Sequence, residues 1–369
     1  MKRFTLPFFL LTCLSLGAQP IFPDLAGQEL LDALAQNYRP AVVLDYDRAR
    51  DTLYSKIDVV NDSLFGVYTG FGVQMDPNED PSSEAFANGL NTEHTWPQSK
   101  GAGNGNPRSD MHHLFPTVVQ VNADRGSLPF GDIPDNSTER WYIGNSVRTT
   151  PPPVSIRNFY SEILLNNRFE PRESHKGNVA RAMFYFYTVY RPEANAADPN
   201  YFPPMIETLC DWHVQDPVDQ QELQRTEAIA LRQSGIPNPF VVDCNLLART
   251  YCPDQMDMNL CLSSNEDPAI NAPFEILGVG RTEQQSFVML RFGEPLRMEV
   301  DWYDLLGRRI TAGFQDRIPA GTFQLNALSG GDYTGANTTL RSQHPGPIIA
   351  RIRVQDAQGR WFTKSQLLP

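Results

Sequence analysis

The stretch from Asn91 to Gly131 decides how this chain is read. It begins N-T-E-H-T-W-P-Q-S-K, crosses a Gly/Asn-rich segment to Arg108, continues S-D-M-H-H-L-F-P-T-V-V-Q-V-N-A-D-R-G and closes on Phe130-Gly131. Three of the chain's six histidines lie here, beside Glu93, Asp110, Asn122 and Arg125. The pattern predicts a strand over Asn91–Thr95 and a second over Met111–Phe115. Pro116 lacks an N–H and ends the pairing, and Thr117 caps a helix that reaches about Arg125. Strand, loop, strand and helix then set His94 opposite Asn122, with Arg125 three residues on and on the same helix face. The segment Lys100–Arg108 holds too much Gly and Asn for regular structure and reads as a flexible crossing.

Four motifs in order, Glu93-His94-Thr95-Trp96-Pro97-Gln98-Ser99, Asp110-Met111-His112-His113-Leu114-Phe115-Pro116, Asn122-x-x-Arg125 and Phe130-Gly131, give the chain its likeness. It resembles the secreted endonuclease I family of nonspecific nucleases, which carry the ββα-metal (His-Me finger) pattern. Phe169-Glu170-Pro171, Lys176-Gly177-x-x-Ala180-Arg181-Ala182 and Asn238-Pro239-Phe240 extend the likeness, so that it spans roughly Leu31–Asp243. One region departs from it: Arg225-Thr226 and Gly235-Ile236-Pro237-Asn238 stand where the family usually has Arg-Asn and Asn-Arg-Asn. That departure bears on DNA contact by the turn more than on the chemistry.

The resemblance implies an exported, sequence-nonspecific endonuclease that hydrolyses DNA, and RNA as a further substrate, to 5′-phosphate ends. Phosphodiester hydrolysis needs a water made nucleophilic, a cation on the phosphate and help for the leaving oxygen. His94 is the expected general base, since a histidine titrates near neutral pH. Glu93 and Asn122 are the expected ligands of one Mg²⁺, a site that Mn²⁺ or Ca²⁺ can also occupy, with water completing a hard-oxygen shell. His112 is favoured over His113 as a supporting residue, because the resemblance keeps histidine at the first position and adjacent strand residues face opposite ways. Asp110 is expected to fix an imidazole tautomer, or else to start a turn. Arg125 is the first candidate for phosphate contact, weighed evenly against a helix-surface arginine, and Arg108 and Arg181 follow. The competing reading is an adhesion or binding protein that retains an inactive nuclease scaffold. A metalloprotease is disfavoured by the lack of an H-E-x-x-H helix.

The net charge of −12 over 369 residues argues against a nucleic-acid ligand until its distribution is considered. Glu93–Arg191 carries 11 Lys+Arg against 9 Asp+Glu, or +2, so the site segment is the least acidic part and phosphate attraction can be local. Met1–Ala18 has a basic start, the apolar run Phe8–Leu16 and a small pair, the pattern of a signal peptide cleaved before Gln19. No other run is long enough to span a membrane. The expected location is therefore secreted or cell-surface. After the signal, Cys210, Cys244, Cys252 and Cys261 remain, and three disulfide connectivities are open. Of these, Cys252–Cys261 with Cys210–Cys244 is the pairing expected here.

The expected fold class is α+β: a nuclease domain over residues 19–262, a linker over 263–273, and a β-sandwich over 274–369. Asp24 is expected to cap a helix carrying Leu25, Leu30, Leu31, Leu34 and Tyr38. Further helices are expected over Asp45–Ile57, Gly177–Tyr190 and Glu222–Ser234, a hairpin over Leu64–Met75, and loops over Asp76–Ala87 and Asp132–Val154. In the last hundred residues strands are expected at Ser286–Phe292, Arg297–Tyr303, Arg308–Ala312, Gly321–Leu325, Ile348–Val354 and Trp361–Leu367. The elements Asp304–Ile310 and Thr363–Leu368 resemble type IX secretion sorting domains, which implies contact with secretion machinery; a carbohydrate-binding or adhesion sandwich is the alternative.

Overall fold

A computed structural model of the chain describes residues 20–60, 62–243 and 245–255, and strands between Phe274 and Leu368. The signal-like segment, the linker, Cys244 and Cys261 lie outside the described residues, as do the elements drawn on for Leu305–Arg308.

Helix α1 (Gly27–Asn37) buries Leu30, Leu31 and Leu34, as its apolar stripe predicts, but it begins after Ala26 rather than at Asp24. Helix α2 (Tyr46–Thr52) is capped by Asp45, whose carboxylate accepts from the Arg48 N–H at 3.0 Å, and continues as a π turn to Ile57. Strands β1 (Val59–Val60), β2 (Ser63–Phe65) and β3 (Gly72–Gln74) form a small antiparallel sheet. The acidic stretch expected as a loop holds helix α3 (Pro81–Ala87). Asp80 accepts from the Ser83 N–H, and Pro81 occupies the first turn, where its missing N–H costs nothing.

Strand β4 (Leu90–His94), helix α4 (Gly105–Ser109), strand β5 (Leu114–Val118) and helix α5 (Val119–Arg125) follow. Three expectations change here. The Gly/Asn-rich segment is ordered, with a 3₁₀ turn at Gln98–Lys100 and α4 beyond it. Met111–His113 is a 3₁₀ turn capped by Asp110, so the second strand starts at Leu114. Pro116 does not end the pairing: it sits within β5 opposite Thr92, and Thr117 belongs to the strand rather than capping the helix. A two-stranded sheet tolerates a proline whose N position faces away from the partner.

Strands β6 (Arg140–Ile143), β7 (Ser146–Arg148), β8 (Ser161–Leu164) and β9 (Arg168–Glu170) make a sheet in the order β7-β6-β8-β9, part of it inside the stretch expected as a surface loop. Helix α6 (Lys176–Val189) is the central element, with twelve of its fourteen residues buried. At Gly177 an added Cβ would lie 1.8 Å from the Asp216 carbonyl oxygen, so only glycine admits this approach. Helices α7 (Arg191–Ala197), α8 (Ile206–Gln215), α9 (Gln220–Ala230) and α10 (Pro239–Val242) pack around it. A Cys210–Cys252 disulfide replaces both expected pairings. The stacked rings of Trp96 and Phe186, 4.7 Å apart, join the residues just after β4 to α6.

Beyond residue 273 the described strands are β10 (Phe274–Arg281), β11 (Ser286–Phe292), β12 (Leu296–Asp304), β13 (Arg309–Thr311), β14 (Gln315–Ile318), β15 (Gly321–Asn326), β16 (Ile348–Gln355) and β17 (Trp361–Leu368). They form two antiparallel sheets, β10-β11-β15 and β13-β12-β16-β17, with β14 on β12. Apolar residues of both sheets, Val288, Leu290, Val300, Trp302 and Ile352 among them, share one buried cluster. Strands β10 and β14 were not anticipated.

Candidate active site

Antiparallel β4 and β5 pair Glu93 with Phe115 and His94 with Leu114, and α5 follows β5 directly. The two donors of the Asn122 amide go to Asn91 Oδ1 (2.8 Å) and the Thr92 carbonyl (2.9 Å). Both partners are acceptors, so the amide orientation is determined, and Oδ1 is the atom left for a cation. The structure thus brings Asn122 against the strand that carries Glu93 and His94.

Glu93 is 1% exposed. Its Oε1 accepts from the Tyr68 hydroxyl at 2.8 Å and meets Arg125 Nη1 at 3.2 Å, whereas Oε2 is buried with no hydrogen-bond partner. Burial pushes this carboxyl above its ordinary pKa, against the pull of Arg125 and Tyr68. A buried, unpaired carboxylate oxygen is costly unless something binds it.

His94 is 6% exposed, with its ring 5.4 Å from Tyr46 and 5.6 Å from His113. Its Nε2 lies 3.0 Å from the Arg108 carbonyl, and its Nδ1 lies 3.3 Å from the Gln98 amide nitrogen. A carbonyl only accepts and an amide nitrogen only donates. The proton therefore sits on Nε2 and the lone pair on Nδ1. Burial, then the nearby His113, push the pKa down to about 3, so the imidazole is neutral at physiological pH.

Arg125, expected to reach a phosphate, is 1% exposed. Its guanidinium donates to the carbonyls of His94 (3.0 Å), Thr95 (2.7 Å) and Gly126 (3.3 Å) and lies over the Phe130 ring at 4.4 Å. It straps the end of β4 to α5 and presents no free face to a ligand.

His113, rather than His112, adjoins His94. Met111–His113 is a 3₁₀ turn without the strand alternation that would set the two histidines on opposite faces, and the His112 ring goes to the Ile236 carbonyl (2.9 Å) and toward Thr226. His113 Nε2 lies 2.6 Å from the Pro107 carbonyl, and burial brings its pKa down to about 4. Asp110 bonds no imidazole. Its four acceptances come from the His112 N–H, Gln233, Tyr185 and Tyr190, which make it a buried brace between the turn, α6 and the end of α9. Arg181 is closed on Glu222. Tyr68, Tyr46 and Gln98 were not singled out. Gln98 lies inside the quoted motif, four residues after His94, while nothing in the hairpin sequence marks Tyr68.

Among the described residues no three His, Cys, Asp or Glu side chains converge on a metal site, so a cation here would rest on Glu93, Asn122 and water. No described helix is long and apolar enough to cross a membrane.

An "Extracellular ribonuclease" of Bacillus amyloliquefaciens is 32% identical over 163 residues, 41% of this chain and 50% of that protein. That of Bacillus subtilis (strain 168) is 32% identical over 165 residues, with the same coverage. An "Extracellular deoxyribonuclease" of Aeromonas hydrophila is 28% identical over 138 residues, 36% of this chain and 48% of that one. The chain spans about half the length of these relatives. The Endonuclease I family model matches residues 28–245, from α1 through the whole β4–α5 unit and α6 to just beyond α10, and on that match the chain belongs to the endonuclease I family.

Proposed function

We propose that this protein is an exported, Mg²⁺-dependent endonuclease that cuts DNA or RNA without sequence preference and leaves 5′-phosphate ends. The observation that carries the reading is the pairing of a neutral His94, its lone pair on Nδ1, with the preceding Glu93, whose buried Oε2 has no partner. Glu93 Oε2 and Asn122 Oδ1 would hold the cation, which supplies positive charge to the phosphate as it becomes more negative. A cation on Oε2 also removes the cost of that unpaired oxygen and keeps Glu93 ionised.

In the reaction, His94 Nδ1 takes a proton from the attacking water as the water oxygen bonds to phosphorus and the bond to the 3′-oxygen breaks. The leaving oxygen gains a proton from solvent. The Arg108 carbonyl, accepting from Nε2–H, steadies the imidazolium that forms. Arg125 is a positioning residue here: it holds the successive carbonyls of His94 and Thr95 and orients Glu93. The extracellular relatives support export, and the strand-rich residues 274–369 would serve as a sorting module in that path.

The test is plasmid and RNA cleavage with and without EDTA, for the wild type and His94→Ala. The wild type should cut only with Mg²⁺ present. His94→Ala should lose roughly 10²–10⁴-fold in rate while still binding Mg²⁺ and DNA. Wild-type turnover in His94→Ala removes the base assignment. A wild type inert on both substrates returns the chain to an inactive scaffold.

A further inference from the structure

The arginines around the site differ in what holds them. Arg125 is sealed inside, Arg181 is closed on Glu222, Arg225 lies on Asp58 at 2.7 and 3.1 Å, and Arg50 pairs with Asp47 at 2.6 Å. Arg108 is exposed, and among the described residues no carboxylate pairs with its guanidinium. That guanidinium lies over the Tyr46 ring at 4.5 Å, and the Tyr46 ring is itself 5.4 Å from the ring of His94. Arg50 lies over the same tyrosine at 4.7 Å. Arg108 also supplies, through its backbone carbonyl, the acceptor that fixes the His94 tautomer.

We propose that Arg108 is the residue that grips the backbone phosphate being cut, with Tyr46 as the platform that keeps its guanidinium beside His94. The inference rests on the nuclease reading and moves phosphate contact from Arg125 to Arg108. A guanidinium suits a phosphodiester because its fork of donors meets two phosphate oxygens at once. Stacking on an aromatic ring costs the cation little of its donor capacity, since the N–H groups lie in the plane and point past the ring.

The test compares Arg108→Ala, Arg108→Lys and Tyr46→Leu. Each keeps the backbone carbonyl at position 108, so the His94 tautomer is undisturbed. Cleavage kinetics give kcat/KM, and fluorescence anisotropy of a labelled duplex in a salt series, with the His94→Ala protein as parent and Ca²⁺ present, gives a slope that requires no cleavage. Arg108→Ala should lose roughly 10–100-fold in kcat/KM and flatten the slope of log affinity against log salt by about 0.9. Arg108→Lys should keep the slope and recover only part of kcat/KM, because an ammonium is a point charge rather than a fork. Tyr46→Leu should keep the charge and the slope yet lower kcat/KM, because the guanidinium loses its platform. An unchanged slope together with unchanged kcat/KM in Arg108→Ala overturns the proposal while the nuclease reading stands. A wild type that cuts nothing sinks the nuclease reading, and the salt slope then decides on its own whether Arg108 contacts phosphate.

Discussion

Two buried arginine–glutamate pairs lie in the nuclease region, one at the site and one among the helices. Between α6 and α9, Arg181 Nε and Nη2 meet the two oxygens of Glu222 at 2.7 and 2.6 Å, and Nη1 goes to the Asp216 carbonyl and His213. Both carboxylate oxygens are used. At the site, Arg125 meets only one oxygen of Glu93, at 3.2 Å, and turns Nη1 and Nη2 to carbonyls and the Tyr201 hydroxyl, leaving Glu93 Oε2 and its own Nε buried without partners. The first pair is closed upon itself and holds helices together. The second keeps one oxygen in reserve, at a cost in stability that makes sense if a ligand supplies the missing partner.

Converting each glutamate to glutamine should separate the two most sharply. Glu222→Gln leaves Arg181 buried against a neutral amide and should cost roughly 3–5 kcal/mol in urea denaturation, with Mg²⁺ affinity unaffected in whatever fraction remains folded. Glu93→Gln should cost less, because Arg125 keeps its three carbonyls, but it should remove Mg²⁺ binding in isothermal titration. Equal destabilisation with unaltered Mg²⁺ affinity in Glu93→Gln would show that both pairs are structural.

Much of this contrast was readable in the chain and part was not. Glu93 and His94 at a strand end, with Asn122 on the next helix, follow from the order and spacing of short motifs, and the structure brings them together. Arg125 has the same spacing whether it faces solvent or the interior. Its burial is set by Phe130 and by Tyr201, the latter 76 residues further on, which no local pattern carries. The preference for His112 comes from the resemblance, whereas the structure sets His113 beside His94: the 3₁₀ turn, capped by Asp110 through the His112 N–H, has no two-residue alternation to read from sequence. Helix α3 was missed although Asp80-Pro81 is a capping signal; the acidic composition outweighed it. Cysteine spacing cannot choose among three connectivities, and the bond joins α8 to a turn after α10.

The two regions should also answer pH with opposite sign. Burial holds His94, His112, His113 and His175 all below their ordinary pKa, His94 at about 3 and His113 at about 4. The unfolded chain takes up protons at these histidines near pH 6.5 and the folded chain does not. Their stabilising contribution is therefore complete above that pH and is lost as pH falls toward 4. Beside the closed pair, burial raises Asp216 to about 7 despite the neighbouring Arg181. Its folded form holds a proton between about pH 4 and 7 that the unfolded form has released, so it stabilises on acidification through that window. Asp216→Asn removes this opposing contribution. Over pH 4–6.5 the stability of that variant should fall more steeply with acid than the wild type, by about 1.4 kcal/mol per pH unit, in urea titrations at fixed ionic strength. Parallel curves would place the Asp216 proton elsewhere.

The smallest effect tests the oxygen held in reserve through its neighbour. Tyr68 donates to Glu93 Oε1 at 2.8 Å and helps keep the carboxyl ionised against burial. Tyr68→Phe removes the donor and little else, since the ring still packs on Phe169, whose centroid lies 4.8 Å away. The loss in stability should be about 1 kcal/mol. Without the donor, Glu93 takes a proton more readily, and that proton competes with the cation for the carboxylate. The Mg²⁺ concentration for half-maximal cleavage should rise roughly tenfold near pH 7, the lower end of what an outer partner of a metal ligand contributes. Because the competitor is a proton, the shift should shrink as pH is raised, while kcat at saturating Mg²⁺ stays near the wild-type value. Arg181→Lys at the closed pair supplies the control, with lower stability and the same Mg²⁺ response. If Tyr68→Phe and Arg181→Lys give the same Mg²⁺ curve at every pH, Glu93 holds no cation, and the two pairs differ in geometry alone.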